Sequence, residues 1–428
     1  MVLLTLGVSL RLLAQGQTPT FRAAVDLIAV DVQVVDKDGT PIRALAPGDF
    51  DVTISGHRRR VVSADFIEST TVDGRSLDRT AAVAPGPQAT NQWLDRSDAA
   101  RTYVLVFDVD SFTVGESRDV VAAARGFIRR LQPADRVGLY TFPVGARVEP
   151  TIDHAAVSAA VDTIVGVTQQ MPGSFNLTPS EIIDITAETT QSRVSALGRP
   201  QGPGPVPGAP ALAGNEGSVT RRVQQRECGT DVRCVDEIQT EAQSLAFYLE
   251  GRATEGLNGL RALIRLLSVE PGRKTMVMFS AGIPTTDRPG GRPDVGDLAK
   301  ELGQDAAATN TTIYVLHLDM SAWRQMAAET RKTNAMPVST SRDHAVTGRL
   351  LSEFSGASGG ALIRVVMGGG DFALNRVLRE TSSHYLLGVE PADSDRDGKL
   401  RDLRVKVSRK GATIRSRIWV VVPPKPEA

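Results

Sequence analysis

The sequence predicts an α/β fold, in which a doubly wound, mostly parallel sheet stands beside a β-rich unit formed by the N- and C-terminal segments. Continuous apolar runs that end in a polar residue, such as YVLVFDVD at 103–110, are typical of buried parallel strands. Amphipathic helical segments alternate with these runs, which favours a sheet covered on both faces. Near both chain ends, apolar and polar residues alternate one by one, which indicates half-buried antiparallel strands.

Residues 1–18 form a predicted signal peptide. The apolar run from Val2 to Ala14 is too short to span a bilayer, and Ala14-Gln15-Gly16 fits a small-x-small cleavage pattern. No basic residue precedes the run and Arg11 interrupts it, so a frayed or buried N-terminal segment is the alternative. Export predicts a secreted or periplasmic protein, and no later stretch is apolar for long enough to predict a membrane span.

Residues 19–68 predict the N-terminal β-unit, because alternating apolar positions surround turns at Asp38-Gly39 and Gly56. Residues 69–100 are polar and contain APGPQATNQ, which predicts a linker. The segment 384–424 again has a strand–turn–strand pattern, and we expect it to pack with the N-terminal strands.

Residues 101–383 predict the α/β domain. After its first strand, one helical face carries the apolar residues Val120, Val121, Ala124, Phe127, Ile128 and Leu131. Asp153 is placed to cap the next helix, and further strands follow at KTMVMFSAG and TIYVLHLD. An insertion at 169–240 interrupts the domain, and its Pro/Gly-rich centre predicts a flexible or disordered loop.

The chain's length and charge limit its class of function. At 428 residues it exceeds one typical globular core, which favours two domains or one decorated domain. Lys and Arg total 49, as do Asp and Glu, so no net charge attracts the protein to nucleic acid. Cys228 and Cys234 flank a turn-forming segment that allows a local disulfide in an oxidising compartment, with two unpaired thiols as the alternative.

The segment DVDSF places two carboxylates where ligands bind in open α/β sheets, outside the carboxyl end of a strand. Asp108 and Asp110 could both turn toward one hard cation, and oxygen ligands of this kind suit Mg²⁺, Mn²⁺ or Ca²⁺. The alternative is a polar strand exit that caps the next helix without binding an ion. The spacing alone is compatible with both.

The apolar strand ending in an acidic loop, followed by an amphipathic helix and PADRVGLYTF, resembles a von Willebrand factor A domain. The flanking segments are similar to the VWFA-related proteins found widely in Acidobacteria, and these segments are VDLIAVDVQVVDKDGTPIRALAPGDFDVTISG, PGRKTMVMFSAGIP and HYLLGVEPADSDRDGKLRDLRVKV. The resemblance runs from about residue 21 to near the end of the chain. It implies a von Willebrand A-like sheet and an interaction role.

Such domains commonly carry a metal-ion-dependent adhesion site (MIDAS) of the form Asp-x-Ser-x-Ser, which this sequence keeps only in part. Asp108 matches the first aspartate, and Asp110 replaces the first serine with a second carboxylate. Phe112 replaces the second serine and has no ligand atom. Ser111 is one position out of register, so we expect its side chain to point elsewhere.

The more distal part of the motif is also altered. The aspartate expected after the strand TMVMFS is replaced by Ala281, and Ser280 is the nearest side-chain oxygen. Thr178 could stand for the motif's threonine, although the insertion makes that alignment insecure. The resemblance therefore implies a degenerate site made of Asp108, Asp110, Thr178 and Ser280.

The sequence favours no enzyme. The five histidines have no partner serine in a G-x-S-x-G elbow, and His317 lies within an apolar strand. The DSDRDG segment at 393–398 begins like a calcium loop, but its twelfth position is Arg404, so a hairpin turn is the better interpretation.

These observations predict an exported, non-enzymatic binding or adhesion module whose degenerate site binds a protein or glycan. The alternative is a structural scaffold that binds no metal, with interactions made by the β-unit or the insertion.

Overall fold

The structure is a computed structural model that describes residues 27–68, 101–168, 173–197, 218–318, 340–365 and 369–424. The predicted signal peptide, the predicted linker and the centre of the insertion lie outside these residues. The strands are β1 Ile28–Val35, β2 Phe50–Ile54, β3 His57–Glu68, β4 Thr102–Asp108, β5 Arg136–Phe142, β6 Arg147–Thr151, β7 Lys274–Ser280, β8 Thr311–Leu318, β9 Ala361–Val365, β10 Ser383–Glu390, β11 Leu400–Val407, β12 Thr413–Arg415 and β13 Trp419–Val421. The helices are α1 Ser117–Ile128, α2 His154–Val161, α3 Pro179–Leu197, α4 Val219–Cys228, α5 Cys234–Leu266, α6 Leu298–Ala308, α7 Thr340–Ala357 and α8 Gly370–Glu380.

The predicted mixed α/β class is confirmed. Among the described residues, six strands form one sheet in the order β6-β5-β4-β7-β8-β9, which is parallel except for the β5–β6 pair. This order is that of a doubly wound sheet, with its reversal between β4 and β7. All seven residues of β4 and all seven of β7 are buried, which accounts for their continuous apolar sequences.

Helices cover both faces of this sheet. The apolar residues of α1, α2 and α8 pack on one face, where Phe127, Val157 and Leu374 are buried. The second half of α5 packs on the other face with α6 and α7, where Leu260 and Phe354 are buried. These two layers cover the faces of the sheet, and the carboxyl ends of its strands lie between them.

A second sheet is antiparallel and contains strands from both ends of the chain. Its order is β12-β1-β10-β3-β2-β11-β13 among the described residues. Burial alternates strictly along β10, as a half-buried strand requires. In the DSDRDG turn, both carboxylate oxygens of Asp395 accept hydrogen bonds from Arg59, at 2.6 and 2.7 Å. Asp395 is therefore part of the turn's own structure.

Buried polar contacts join the two sheets. The Tyr314 hydroxyl on β8 donates to Gln33 Oε1 on β1 at 2.8 Å. Glu380, at the end of α8, is fully buried and forms ion pairs with Arg376 at 2.8 Å and Arg415 at 3.3 Å. Since Arg415 belongs to β12, the Glu380–Arg415 ion pair ties the α/β domain to the antiparallel sheet.

The insertion contains helices that the sequence analysis did not predict. The helices α3, α4 and the first half of α5 share an apolar core that includes Ile182, Val223 and Ile238. Cys228 ends α4 and Cys234 begins α5, and the two are joined by a disulfide across a Cα–Cα distance of 6.4 Å. In the part of the chain that the structure describes, no helix is long and apolar enough to cross a membrane.

Replacing Glu380 tests the coupling between the two sheets. We expect Glu380→Gln to lower the free energy of unfolding by about 3 kcal/mol, because it leaves two arginines without their buried counter-charge. Chemical denaturation measures the loss. Glu390→Gln is the matched control, since the Glu390–Arg60 pair is exposed and 3.6 Å long, and it should cost less than about 1 kcal/mol. Equal losses would contradict a special role for the buried pairs.

His384 on β10 makes stability depend on pH. Burial lowers the pKa of His384 to about 4, against the weaker opposing effect of Asp31, whose carboxylate lies 3.8 Å away. The unfolded state therefore takes up a proton below about pH 6.5 while the folded state does not, so stability falls with falling pH until about pH 4. We expect His384→Gln to remove about 3 kcal/mol of this dependence, measured by denaturation at several pH values. Exposed His57→Gln should leave it unchanged.

Candidate functional site

The candidate site lies where the strand order reverses, at the carboxyl ends of β4 and β7. Asp108 is the last residue of β4 and Ser280 the last of β7, and both are buried. The Ser280 hydroxyl donates to Asp108 Oδ2 at 2.7 Å, and it accepts a hydrogen bond from the Gly282 amide at 3.1 Å. Two of the predicted site residues therefore meet directly.

A single turn of 3₁₀ helix, Val109–Ser111, follows Asp108 and brings Ser111 into the site. The Ser111 hydroxyl donates to the Asp108 carbonyl at 2.7 Å and accepts from the Ala281 amide at 2.9 Å. The sequence predicts that this side chain points elsewhere, because an extended strand exit would place it on the other side. The helical turn rotates it toward β7 instead.

The environment of Asp108 disfavours its charged form. Burial raises the pKa of Asp108 to about 7, although the Ser280 hydrogen bond and the charge of Arg252 act in the opposite direction. The nearby carboxylate of Asp110 adds to the increase. A carboxyl group with such a pKa exchanges its proton near neutral pH.

Asp110 is paired with an arginine that the sequence analysis did not identify. Arg252, on α5, has its Nη2 3.2 Å from Asp110 Oδ2 and donates to the Asp110 carbonyl at 2.7 Å. The Arg252 guanidinium also lies over the ring of Tyr248, 5.7 Å from its centroid. A positive charge therefore stands beside the second carboxylate of the site.

The loop from β4 is held in place by the segment that follows α2. Val167 donates its amide to the Val109 carbonyl at 2.9 Å, and the Thr168 amide donates to the Phe112 carbonyl at 2.8 Å. A side chain at Gly166 would place its Cβ 2.4 Å from the Phe112 carbonyl oxygen, so only glycine allows this close approach. The Phe112 side chain packs in the core beneath α1.

Thr178 has a different role from that of Asp108, Asp110 and Ser280. Its hydroxyl accepts from the Glu181 amide at 3.4 Å, while its own amide donates to Glu181 Oε2 at 3.0 Å. This reciprocal pair is a capping box at the start of α3. The next residue, Pro179, lines the cleft at the strand ends, but Thr178 is not among the described residues that do.

The strand ends form a cleft of about 310 Å³. Its polar lining includes Asp108, Asp110, Ser111, Thr113, Thr168, Arg252, Glu255 and Thr347, and its apolar lining includes Phe142, Pro143, Pro179, Leu249, Ala253, Ala281, Ile283 and Pro284. The volume is within the range of pockets that bind small ligands or anchor a side chain of a partner.

The donor set does not fit a divalent ion as it is arranged. One oxygen of Asp108 accepts from Ser280, the Asp110 carboxylate faces Arg252, and the Ser111 hydroxyl is engaged with backbone groups. Mg²⁺ and Ca²⁺ require about six or more oxygen ligands, and a cation beside Asp110 would face the guanidinium. Metal binding by Asp108, Asp110, Thr178 and Ser280 therefore stays a prediction, and it requires Arg252 to move.

Comparisons with known proteins give structural likenesses only. No protein-family model matches the sequence, and no curated protein matches it. An aerotolerance-related membrane protein from Bacteroides fragilis is 10% identical, with a TM-score of 0.29, over 66% of this chain and 98% of its own. The conserved hypothetical protein BatB from Bacteroides thetaiotaomicron is 12% identical, with a TM-score of 0.32, over 66% of this chain and 98% of its own.

The human COPII-coat protein Sec24c is 8% identical, with a TM-score of 0.27, over 76% of this chain and 44% of its own. At TM-scores this low, the fold of this chain rests on its own strand order and not on the three likenesses. The strand order establishes a doubly wound sheet beside an antiparallel sheet.

Replacing Phe112 distinguishes a core residue from a lost ligand position. Phe112 is 1% exposed, so Phe112→Ser, which restores the serine of the adhesion motif, should lower the free energy of unfolding by about 4 kcal/mol through cavity formation. Phe372→Ser is the matched control, because Phe372 is 68% exposed, and it should change stability by less than about 0.5 kcal/mol. Denaturation curves that coincide for the two variants would show that Phe112 does not support the loop.

Proposed function

We propose that this protein is an exported, non-enzymatic binding module of von Willebrand A-like type that docks a protein partner at its strand ends. The cleft lies at the reversal of the strand order, where open α/β sheets bind ligands. The resemblance of the sequence to VWFA-related proteins supports the same location. The observation that carries the proposal is the apolar lining of this cleft together with the exposed valines that neighbour it in the sequence.

Four exposed valines lie close to lining residues of the cleft along the chain, and we call them its rim. Val114 follows Thr113, Val144 follows Pro143, and Val165 and Val167 precede Thr168, and all four valines are exposed. We call the cleft and these four valines the strand-end face. Clusters of exposed apolar residues mark interaction sites on soluble proteins, whereas single ones are ordinary.

The chemistry of the strand-end face favours a protein partner over a glycan. The wall residues Phe142, Leu249, Ile283 and Pro284 offer an apolar pocket, and the exposed rim valines add apolar surface next to its lining residues in the sequence. Apolar side chains buried in a pocket supply much of the affinity of protein interfaces. A partner with an apolar anchor residue would fill the cleft and cover the rim.

A binding role agrees with the burial of Ser280, whose hydroxyl contacts the Asp108 carboxylate. Ser280 is fully buried, and its hydroxyl donates to Asp108. A nucleophilic serine needs an accessible oxygen and a base that removes its proton during attack. Ser280 meets the first condition poorly, so we assign it to the support of the loop.

The disulfide supports the export part of the proposal. Cys228 and Cys234 are bonded to each other at the junction of α4 and α5. Disulfides persist in secreted and periplasmic proteins and are rare in the reducing cytosol. The proposed location is therefore the periplasm or the cell exterior.

A photo-crosslinking amino acid tests the docking surface in cells that express the protein. Val144 and Val269 are matched positions, because they are 82% and 83% exposed and Val269 precedes β7 at the opposite end of the sheet. We expect a discrete cross-linked protein at Val144 and none at Val269. Val114→Asp should lower the yield at Val144 by about fivefold or more, because a charge opposes apolar docking.

Equal cross-linking at the two positions would contradict the proposal, and no product at Val144 would favour the scaffold alternative. A glycan-only adduct at Val144 would change the class of partner. The same cells test export by fractionation, since full-length protein that retains Met1 in the cytoplasm would contradict it.

A further inference from the structure

The Arg252 guanidinium occupies a position where a cation would neutralise the carboxylates of Asp108 and Asp110. Its Nη2 donates to the Asp110 carbonyl at 2.7 Å and lies 3.2 Å from the Asp110 carboxylate. The guanidinium is bound to the backbone and the side chain of the same residue, so it is fixed at the exit of β4. Arg252 also lines the cleft, as do Asp108 and Asp110.

Helix α5 and its aromatic residue hold the guanidinium in this position. Tyr248 lies one helical turn before Arg252, and its ring is 5.7 Å from the Arg252 guanidinium carbon. A cation over an aromatic face gains a further electrostatic attraction. The Arg252 and Asp110 side chains are both about two-thirds shielded from solvent, at 28% and 32% exposure, which strengthens their pairing.

Arg252 pairs directly with Asp110, two residues after the buried Asp108, and all three residues line the same cleft. Two neighbouring carboxylates in a partly buried site repel each other unless a cation lies between or beside them. In von Willebrand A domains that carry the full Asp-x-Ser-x-Ser motif, the resemblance implies that a metal ion neutralises the carboxylates.

A guanidinium and a divalent ion exclude each other at this position. Both would need the carboxylate oxygens of Asp110. Two cations a few ångströms apart also repel each other strongly at low effective dielectric. The guanidinium has the advantage of covalent attachment, because α5 holds it beside the carboxylate at a high effective concentration.

We infer that the Arg252 guanidinium replaces the divalent cation of this site, so that the strand-end face is metal-independent and binds an ion only when Arg252 is removed. The inference depends on the proposed function only for the location of the site. Its test uses the purified protein alone, so its failure is distinct from a failure to find a partner.

Manganese binding to the purified full chain tests the inference, with Mn²⁺ as the probe and the loss of its free electron-paramagnetic-resonance signal as the readout. We expect Arg252→Met to bind one Mn²⁺ at least about tenfold more tightly than the wild-type protein does. Arg252→Lys keeps a positive charge and should behave like wild type. Adding Asp110→Asn to Arg252→Met should abolish the gain, because it removes a ligand.

Arg265→Met is the matched control for the loss of one positive charge from α5, since Arg265 pairs with Asp305 far along the helix, and it should gain no Mn²⁺ binding. Arg252→Gln serves as a second test variant if Arg252→Met does not fold. Tight Mn²⁺ binding by the wild-type protein would overturn the inference. So would the absence of any gain in folded Arg252→Met or Arg252→Gln.

Discussion

The hydrogen bond between the Ser280 hydroxyl and the buried Asp108 carboxylate is the contact on which the strand-end face depends. A buried carboxyl group is costly unless hydrogen bonds or counter-charges compensate it, so the exits of β4 and β7 must both supply polar partners. Ser111 completes the link, because its hydroxyl joins the Asp108 carbonyl to the Ala281 amide. The two strand exits are therefore held together, and the cleft has a fixed floor.

A second constraint acts at the junction of the two sheets. The antiparallel sheet contains strands from both ends of the chain, so the α/β domain is inserted in the sequence between β3 and β10. The domain must therefore pack against the sheet that its own flanking segments form. Glu380 meets arginines from α8 and β12 there, and Trp419 packs against Ala307 and Ala357. None of these residues is among the described residues that line the cleft.

The sequence predicts the strands better than it predicts the site. The buried strands have continuous apolar sequences because both of their faces are covered, and Asp108 marks where β4 ends. Arg252 could not be predicted, since 142 residues separate it from Asp110 and nothing in the local pattern of α5 distinguishes it from a solvated arginine. Ser111 was misplaced because a 3₁₀ turn, which depends on tertiary contacts with the segment at 166–168, replaces the extended exit.

The residues that differ from the adhesion motif compensate one another's effects on packing and charge. Compared with the adhesion motif that the resemblance implies, Phe112 adds core packing in place of a serine, and Asp110 adds a negative charge in place of another. An extra carboxylate without an ion would destabilise the loop, and Arg252 supplies the compensating charge from within the chain. A guanidinium donates only in its own plane, whereas an ion accepts ligands from many directions. A partner of this face would therefore gain its affinity from apolar burial around Val144 more than from coordination, with Arg252 restricting the orientation of any acceptor it meets.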